Sequence, residues 1–105
     1  MPEYDSPLRG LQSWYARQCD GEWEHRYGPS IETVDNPGWV LTVPLAGTDL
    51  ADRPFAERRE NYDHPTDWLT CQRADDCFVA VGGPHRLERM IEIFLEWAET
   101  PRPGE

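Results

Sequence analysis

The densest cluster of groups able to do chemistry is the acidic and aromatic segment at residues 19–28. Within it, three carboxylates and one imidazole fall in six consecutive positions: Asp20, Glu22, Glu24 and His25. A histidine beside carboxylates can act as a general base or bind a metal ion. If the segment is a β-strand, however, alternation places Glu22 and Glu24 on one face and His25 on the other. This pattern favours a solvated acidic face backed by a half-buried aromatic face.

The same residue types suit a protein partner that is rich in arginine and lysine. Aromatic rings supply contact area, and carboxylates supply steering and specificity. The side chains that we expect at such a surface are Asp20, Glu22, Trp23, Glu24, His25 and Trp39. Trp39 also ends the stretch 35–39, in which Asn36, Pro37 and Gly38 predict a type II turn with Gly38 at positive φ.

A second chemical hypothesis rests on the cysteines, which are Cys19, Cys71 and Cys77. An odd count without a secretion signal indicates reduced thiols and a cytoplasmic protein. Cys71 could carry sulfur as a nucleophile, but a reactive thiol needs electropositive surroundings, and Asp75 and Asp76 counter Arg73. The spacing of Cys71 and Cys77 is not typical of a zinc site. We therefore predict no metal and no other cofactor.

Composition limits the classes of protein further. The chain has 105 residues and a formal net charge of −10, which indicates one domain with its core at about residues 6–99 and a frayed tail at 100–105. The acidic balance disfavours nucleic-acid binding, because phosphate contact needs a basic face. No apolar run approaches the roughly 20 residues that cross a bilayer, so we expect no membrane association.

The elements that must position these residues follow from hydrophobic periodicity and turn residues. Residues 5–20 predict a helix that is capped by Ser6, begins at Pro7 and stops near Gly21. Strands are predicted at 30–35, 39–45, 68–73 and 77–81, with 55–62 either strand or helix. The residues at 82–84 indicate a turn from the last strand into the final helix. This order predicts an α+β fold: an antiparallel sheet of about five strands with an N-terminal and a C-terminal helix on one face.

The final helix has a continuous apolar face made of Leu87, Ile91, Phe94, Leu95 and Ala98. Three further apolar residues, Met90, Ile93 and Trp97, widen this face on one flank. Either they reach over an edge of the sheet as part of the core, or they form an exposed partner patch. The second case would allow a homodimer.

Several blocks of the chain resemble the immunity protein 53 family. They are LQSWY at 11–15, QCDGEWEH at 18–25, YG at 27–28, IET at 31–33, DNPGW at 35–39, DW at 67–68, GG at 82–83 and FLEWA at 94–98. The resemblance extends from about residue 8 to residue 98. It implies a cytoplasmic bacterial protein of a polymorphic toxin system, which neutralises a cognate toxin, often a nuclease, by binding it. It implies no catalytic residues.

These observations together favour a protein that binds a toxin domain over an enzyme. Two enzymatic alternatives stay open at this point: a rhodanese-like sulfurtransferase that uses Cys71, and a metal-dependent hydrolase that uses His25. A third alternative is a scaffold module that dimerises through the flank of the final helix.

Overall fold

A computed structural model of the chain describes residues 6–100. Its elements are, in chain order, α1 (Pro7–Gln18), a short 3-10 helix (Trp23–His25), β1 (Ser30–Val34), β2 (Gly38–Pro44), β3 (Arg58–Glu60), β4 (Leu69–Ala74), β5 (Cys77–Gly82) and α2 (Leu87–Glu99). Residues 101–105 of the tail predicted to be frayed, and residue 5 of the segment predicted as a helix, lie outside the described residues. Of the segment 55–62, only β3 forms regular structure, and it is a strand.

The five strands form one sheet in the order β1-β2-β5-β4-β3, and all neighbours are antiparallel. Helix α2 packs on the central strands β2 and β5, and α1 packs on α2. The predicted α+β fold with two terminal helices is therefore confirmed. The order leaves β1 and β3 as the two edge strands.

The core lies between the sheet and the helices. Alternation along β2 buries Leu41 and Val43, which pair with Ala80 and Phe78 of β5. Helix α1 reaches this core through Trp14, whose ring meets that of Phe94 edge-on with centroids 5.1 Å apart. Such a contact adds about 0.5–1.5 kcal/mol to the stabilisation from the area that the rings bury.

Both predicted signals at the start of α1 are confirmed. The Ser6 hydroxyl accepts a hydrogen bond from the backbone N–H of Arg9 at 3.2 Å, and Pro7 is the first helical residue. The helix ends at Gln18, before Gly21. Asp20 and Gly21 belong to the loop that follows, whose own hydrogen bonds are described below.

The flank of α2 belongs to the core, so of the two interpretations of Met90, Ile93 and Trp97 the first is confirmed. Met90 and Ile93 are fully enclosed. Trp97 packs edge-on against Phe55, with ring centroids 5.3 Å apart, and its indole N–H donates to the carbonyl oxygen of Pro54 at 3.0 Å. The segment between β2 and β3 covers this flank.

Arg73 holds the same covering segment in place. Its guanidinium donates to the carbonyl oxygens of Leu50 at 2.9 Å and Arg53 at 2.6 Å, and also to that of Ala51. Arg53 in turn donates to the carbonyl oxygen of Trp97 at 3.0 Å, where the last carbonyls of α2 lack helical partners.

The turn between β1 and β2 also differs from expectation. The Asn36–Pro37 peptide bond is cis, and Gly38 is the first residue of β2, without a positive φ. The predicted type II turn is wrong. Glycine is needed at 38 because a Cβ there would lie 2.3 Å from the carbonyl oxygen of Gly82 on the neighbouring strand.

The turn into α2 is confirmed. The backbone N–H of Gly83 donates to the carbonyl oxygen of Trp68 at 2.9 Å, and that of Arg86 donates to the carbonyl oxygen of Gly83 at 3.1 Å. Within residues 6–100, no helix is both long and apolar enough to span a membrane.

Candidate functional site

The segment after α1, which we call the acidic loop (residues 20–27), is not a strand. It contains one turn of 3-10 helix, and two of its carboxylates satisfy its backbone. One Asp20 carboxylate oxygen accepts the N–H groups of Glu22 and Trp23, both at 2.9 Å. The Glu24 carboxylate reaches back to the N–H of Asp20 at 2.9 Å and to that of Gly21, also at 2.9 Å. These local hydrogen bonds from side chain to backbone stabilise the conformation of the loop.

The same hydrogen bonds favour the charged state of the two carboxylates. Hydrogen bonds from the backbone, the N–H of Trp23 first, hold the pKa of Asp20 below its usual value. The pKa of Glu24 is lowered in the same way, first by its own backbone N–H and then by those of Asp20 and Gly21. Both carboxylates therefore remain charged at neutral pH while they serve the fold.

Among the other side chains of the loop, Trp23 is buried, whereas Glu22 and His25 are exposed. Trp23 belongs to the core, and its indole N–H donates to the carbonyl oxygen of Ala46 at 2.8 Å. Glu22 and His25 are not enclosed, and neither side chain makes a hydrogen bond or an ion pair within the described part of the chain. Of the residues predicted to contact a partner, these two and Asp20 are exposed, and one oxygen of Asp20 is engaged by N–H groups of the loop.

Trp39 lies away from the acidic loop. It is half-buried at the start of β2, and its indole N–H donates to the carbonyl oxygen of Pro84 at 3.0 Å. At the usual rise of a strand, the far end of β2 is about 17 Å from Trp39, and Ala46, the partner of Trp23, lies beyond that end. The structure therefore does not bring the two tryptophans into one site.

The sequence prediction missed an apolar groove beside the acidic loop. Leu8 and Tyr15 lie at the i, i+3, i+4 spacing that predicts an apolar stripe along α1, but they are 52% and 39% exposed. Tyr27 of the loop and Ile31 of β1 are each 38% exposed on the same side of the molecule. The apolar stripe of α1 is wider than the surface of α2 that it packs against, so part of the stripe stays exposed. Hydrophobic periodicity along one helix does not show how much of its stripe a neighbouring element covers.

Two adjoining cavities form this groove. One has a volume of about 300 Å³ and is lined by Leu11, Gln12, Tyr15, Gly28, Pro29 and Ile31. The other has a volume of about 200 Å³ and is lined by Leu8, Ile31, Leu87, Glu88 and Ile91. Ile31 borders both, so the two cavities meet at this side chain, between the two helices and strand β1. A more polar hollow of about 250 Å³ lies at the acidic loop and is lined by Asp20, Glu22, Trp23, Arg26, Tyr27 and Gly47.

The enzymatic alternatives find little support in these surroundings. Cys71 faces the core with no exposed surface, and burial raises its pKa to about 12. A nucleophilic thiol requires the opposite shift, towards a thiolate at neutral pH. Among residues 6–100, no three histidine, cysteine or acidic side chains converge in a way that could hold a metal ion, and His25 stands apart from any such group.

Comparison with known proteins gives one family. The family model described as Immunity protein 53 matches residues 8–99, which include α1 from its second residue onwards, all five strands, α2 and the acidic loop. No curated protein and no solved structure matches the chain.

Proposed function

This chain belongs to the immunity protein 53 family, and from that premise we propose that it binds and neutralises a cognate toxin protein. The toxin is a domain of a bacterial polymorphic toxin system, and the encounter takes place in the cytoplasm. Neutralisation requires only that the toxin surface be occupied, so the protein acts as an inhibitor and not as an enzyme. The family match carries this proposal.

The acidic loop is the surface that supports it best. The chain has a formal net charge of −10, and the free carboxylate of Glu22 stands on a loop that Asp20 and Glu24 have already ordered. A preordered loop loses less conformational entropy when it binds. A nuclease toxin presents cations to the phosphates of its substrate. Carboxylates placed on those cations would block the substrate.

Co-expression tests the function. We expect the toxin domain encoded beside this chain's gene to stop growth when expressed alone and to be harmless when this chain is present. The two proteins should also co-purify as a complex. Failure of the wild-type chain both to restore growth and to form the complex would contradict the proposed function.

A charge reversal tests the surface. We expect Glu22→Lys to slow association with the toxin domain by about tenfold, because a cation replaces a steering carboxylate. Asp63→Lys is the matched control: it makes the same change in net charge at an exposed position in the loop that follows β3, the opposite edge strand. Stopped-flow fluorescence measures both rates. Equal slowing by the two variants would place the contact surface elsewhere.

A further inference from the structure

The two edges of the sheet differ in how they are protected. Strand β3 has three residues, Arg58, Arg59 and Glu60, and short charged edge strands resist pairing with other chains. Strand β1 has five residues, of which Ile31, Thr33 and Val34 are β-branched, a type that favours strands. Within residues 6–100, β1 pairs only with β2, and its outer backbone edge makes no other backbone hydrogen bond. The unprotected edge of the sheet is therefore β1.

The apolar groove lies directly beside this open edge. Ile31 pairs with Leu41, whose side chain faces the helices, so Ile31 and Thr33 face the groove side of β1. Glu32 lies between them and points to the other face of the sheet. A strand added to the outer edge of β1 would follow the same alternation, with every second side chain on the groove side.

The charged residues near the groove indicate which charge an added strand would carry. Among the residues that line the groove, Glu88 is the only charged one. The acidic loop that precedes β1 adds Asp20 and Glu22, and Arg26 is the one cation that lines the hollow there. Glu32 adds an exposed carboxylate on the opposite face of β1. Basic side chains fit this field, and like charges placed directly across a strand pair would oppose an acidic segment.

We propose that β1 and the groove bind an extended, cationic segment of the partner, which adds to the sheet as a sixth strand. Its apolar side chains enter the groove beside Ile31, and its alternate basic side chains face Glu32. Main-chain hydrogen bonds hold such a strand, and the pockets for alternate side chains select its sequence. This inference rests on the proposed function, because the segment is part of the toxin domain.

Substitutions in the groove test the proposal with the same neighbouring toxin domain as the probe. We expect Ile31→Lys and Leu8→Lys each to weaken binding by about tenfold or more, because a cation replaces an apolar contact and repels a basic segment. Tyr62→Lys is the matched control, since Tyr62 is 55% exposed and lies next to β3. It should change the affinity less than about twofold. Circular dichroism checks folding, and if Ile31→Lys unfolds, the Leu8→Lys result decides.

Amide hydrogen exchange on the complex tests the added strand itself. We expect the toxin to slow exchange at amides of residues 30–34 and to leave residues 58–60 unchanged. Unaltered exchange in β1, or slowing confined to α1 and α2, would overturn strand addition. Slowing in β1 that depends on the concentration of the chain alone would assign the edge to a second copy and would also overturn the proposal.

The outcomes separate this proposal from the proposed function. If the wild-type chain neutralises the toxin but the groove variants bind it equally well, the function stands and the groove is not the contact surface. If the wild-type chain does not bind the toxin domain, the function itself fails.

Discussion

The three carboxylates between residues 20 and 24 differ in what their oxygens bind. Asp20 and Glu24 accept backbone N–H groups of their own loop, whereas the Glu22 carboxylate accepts no hydrogen bond in the described part of the chain. Residue type alone would assign all three to a partner. Only the positions of the backbone N–H groups in the folded loop separate the two roles.

Glu60 is the acid with the most ion-pair partners among the described residues. Its carboxylate lies 2.6 Å from an Arg86 nitrogen, 2.9 Å from an Arg89 nitrogen and 3.0 Å from an Arg58 nitrogen. The hydrogen bond from Arg89, first among these contacts, lowers the pKa of Glu60. The cluster ties the short edge strand β3 to the start of α2.

We expect Glu60→Gln to lower the free energy of unfolding at pH 7 by about 1–3 kcal/mol, because the arginines lose a charged acceptor. A folded-state pKa below the unfolded value gives stability that is present above the unfolded pKa of about 4.3 and is lost as the pH falls through the folded value. The wild type should therefore lose stability below about pH 5 more steeply than Glu60→Gln. Urea unfolding at a series of pH values measures both effects.

Glu57→Gln is the control for this pH series. Glu57 pairs with Arg59 alone at 2.8 Å on the surface, and such pairs contribute about 0–1 kcal/mol. If the two glutamine variants gave the same pH dependence, the Glu60 cluster would not stabilise the fold.

Among the elements, the turn that follows β5 and the loop that precedes β4 approach each other closely at Gly83. A Cβ at Gly83 would lie 1.7 Å from the carbonyl oxygen of Thr66, which is backbone and cannot move aside as a side chain would. Gly83 also donates to the carbonyl oxygen of Trp68, which joins the turn before α2 to the start of β4.

We expect Gly83→Ala to reduce the free energy of unfolding by about 1–3 kcal/mol, because the methyl group displaces this turn. Gly28→Ala is the matched control: a Cβ there would lie 3.8 Å from a ring carbon of Tyr15, an ordinary contact. It should be neutral or should stabilise by up to about 1 kcal/mol, by reducing the freedom of the unfolded chain. Thermal and urea unfolding compare the two, and equal stability of Gly83→Ala and the wild type would contradict the close approach of the two segments.

At the scale of the whole molecule, the net charge of −10 acts on any partner before contact. Part of it lies on glutamates of α2 at the surface, such as Glu88 and Glu96, and part on the acidic loop. A cationic toxin is attracted by the sum of these charges, and salt screens that attraction.

We expect the association rate with the toxin domain to fall by about tenfold or more between low and physiological ionic strength. The dissociation rate should change much less, since contacts already formed are poorly screened. Surface plasmon resonance over a salt series separates the two rates. An association rate that is independent of salt would mean that charge does not guide the encounter.

Local signals were enough for several features. The cap at Ser6 and the turn before α2 depend on neighbours in sequence, so local residue order predicted them. The fold class followed from the order of the elements. The prediction of a type II turn at Gly38 was wrong. A close contact with Gly82 on another strand, and not the turn itself, requires the glycine.

By itself, the sequence determined the α+β class, the family resemblance and the acidic balance of this protein, because each depends on residue order and composition. Only the tertiary structure decided which apolar and acidic side chains remain available. Met90 is enclosed in the core, and Leu50 and Phe55 help to cover that side of the core. Leu8 and Ile31 remain exposed because no described residue fills the groove between them. Burial depends on which segments meet in space, and periodicity along one helix or strand carries no information about its neighbours.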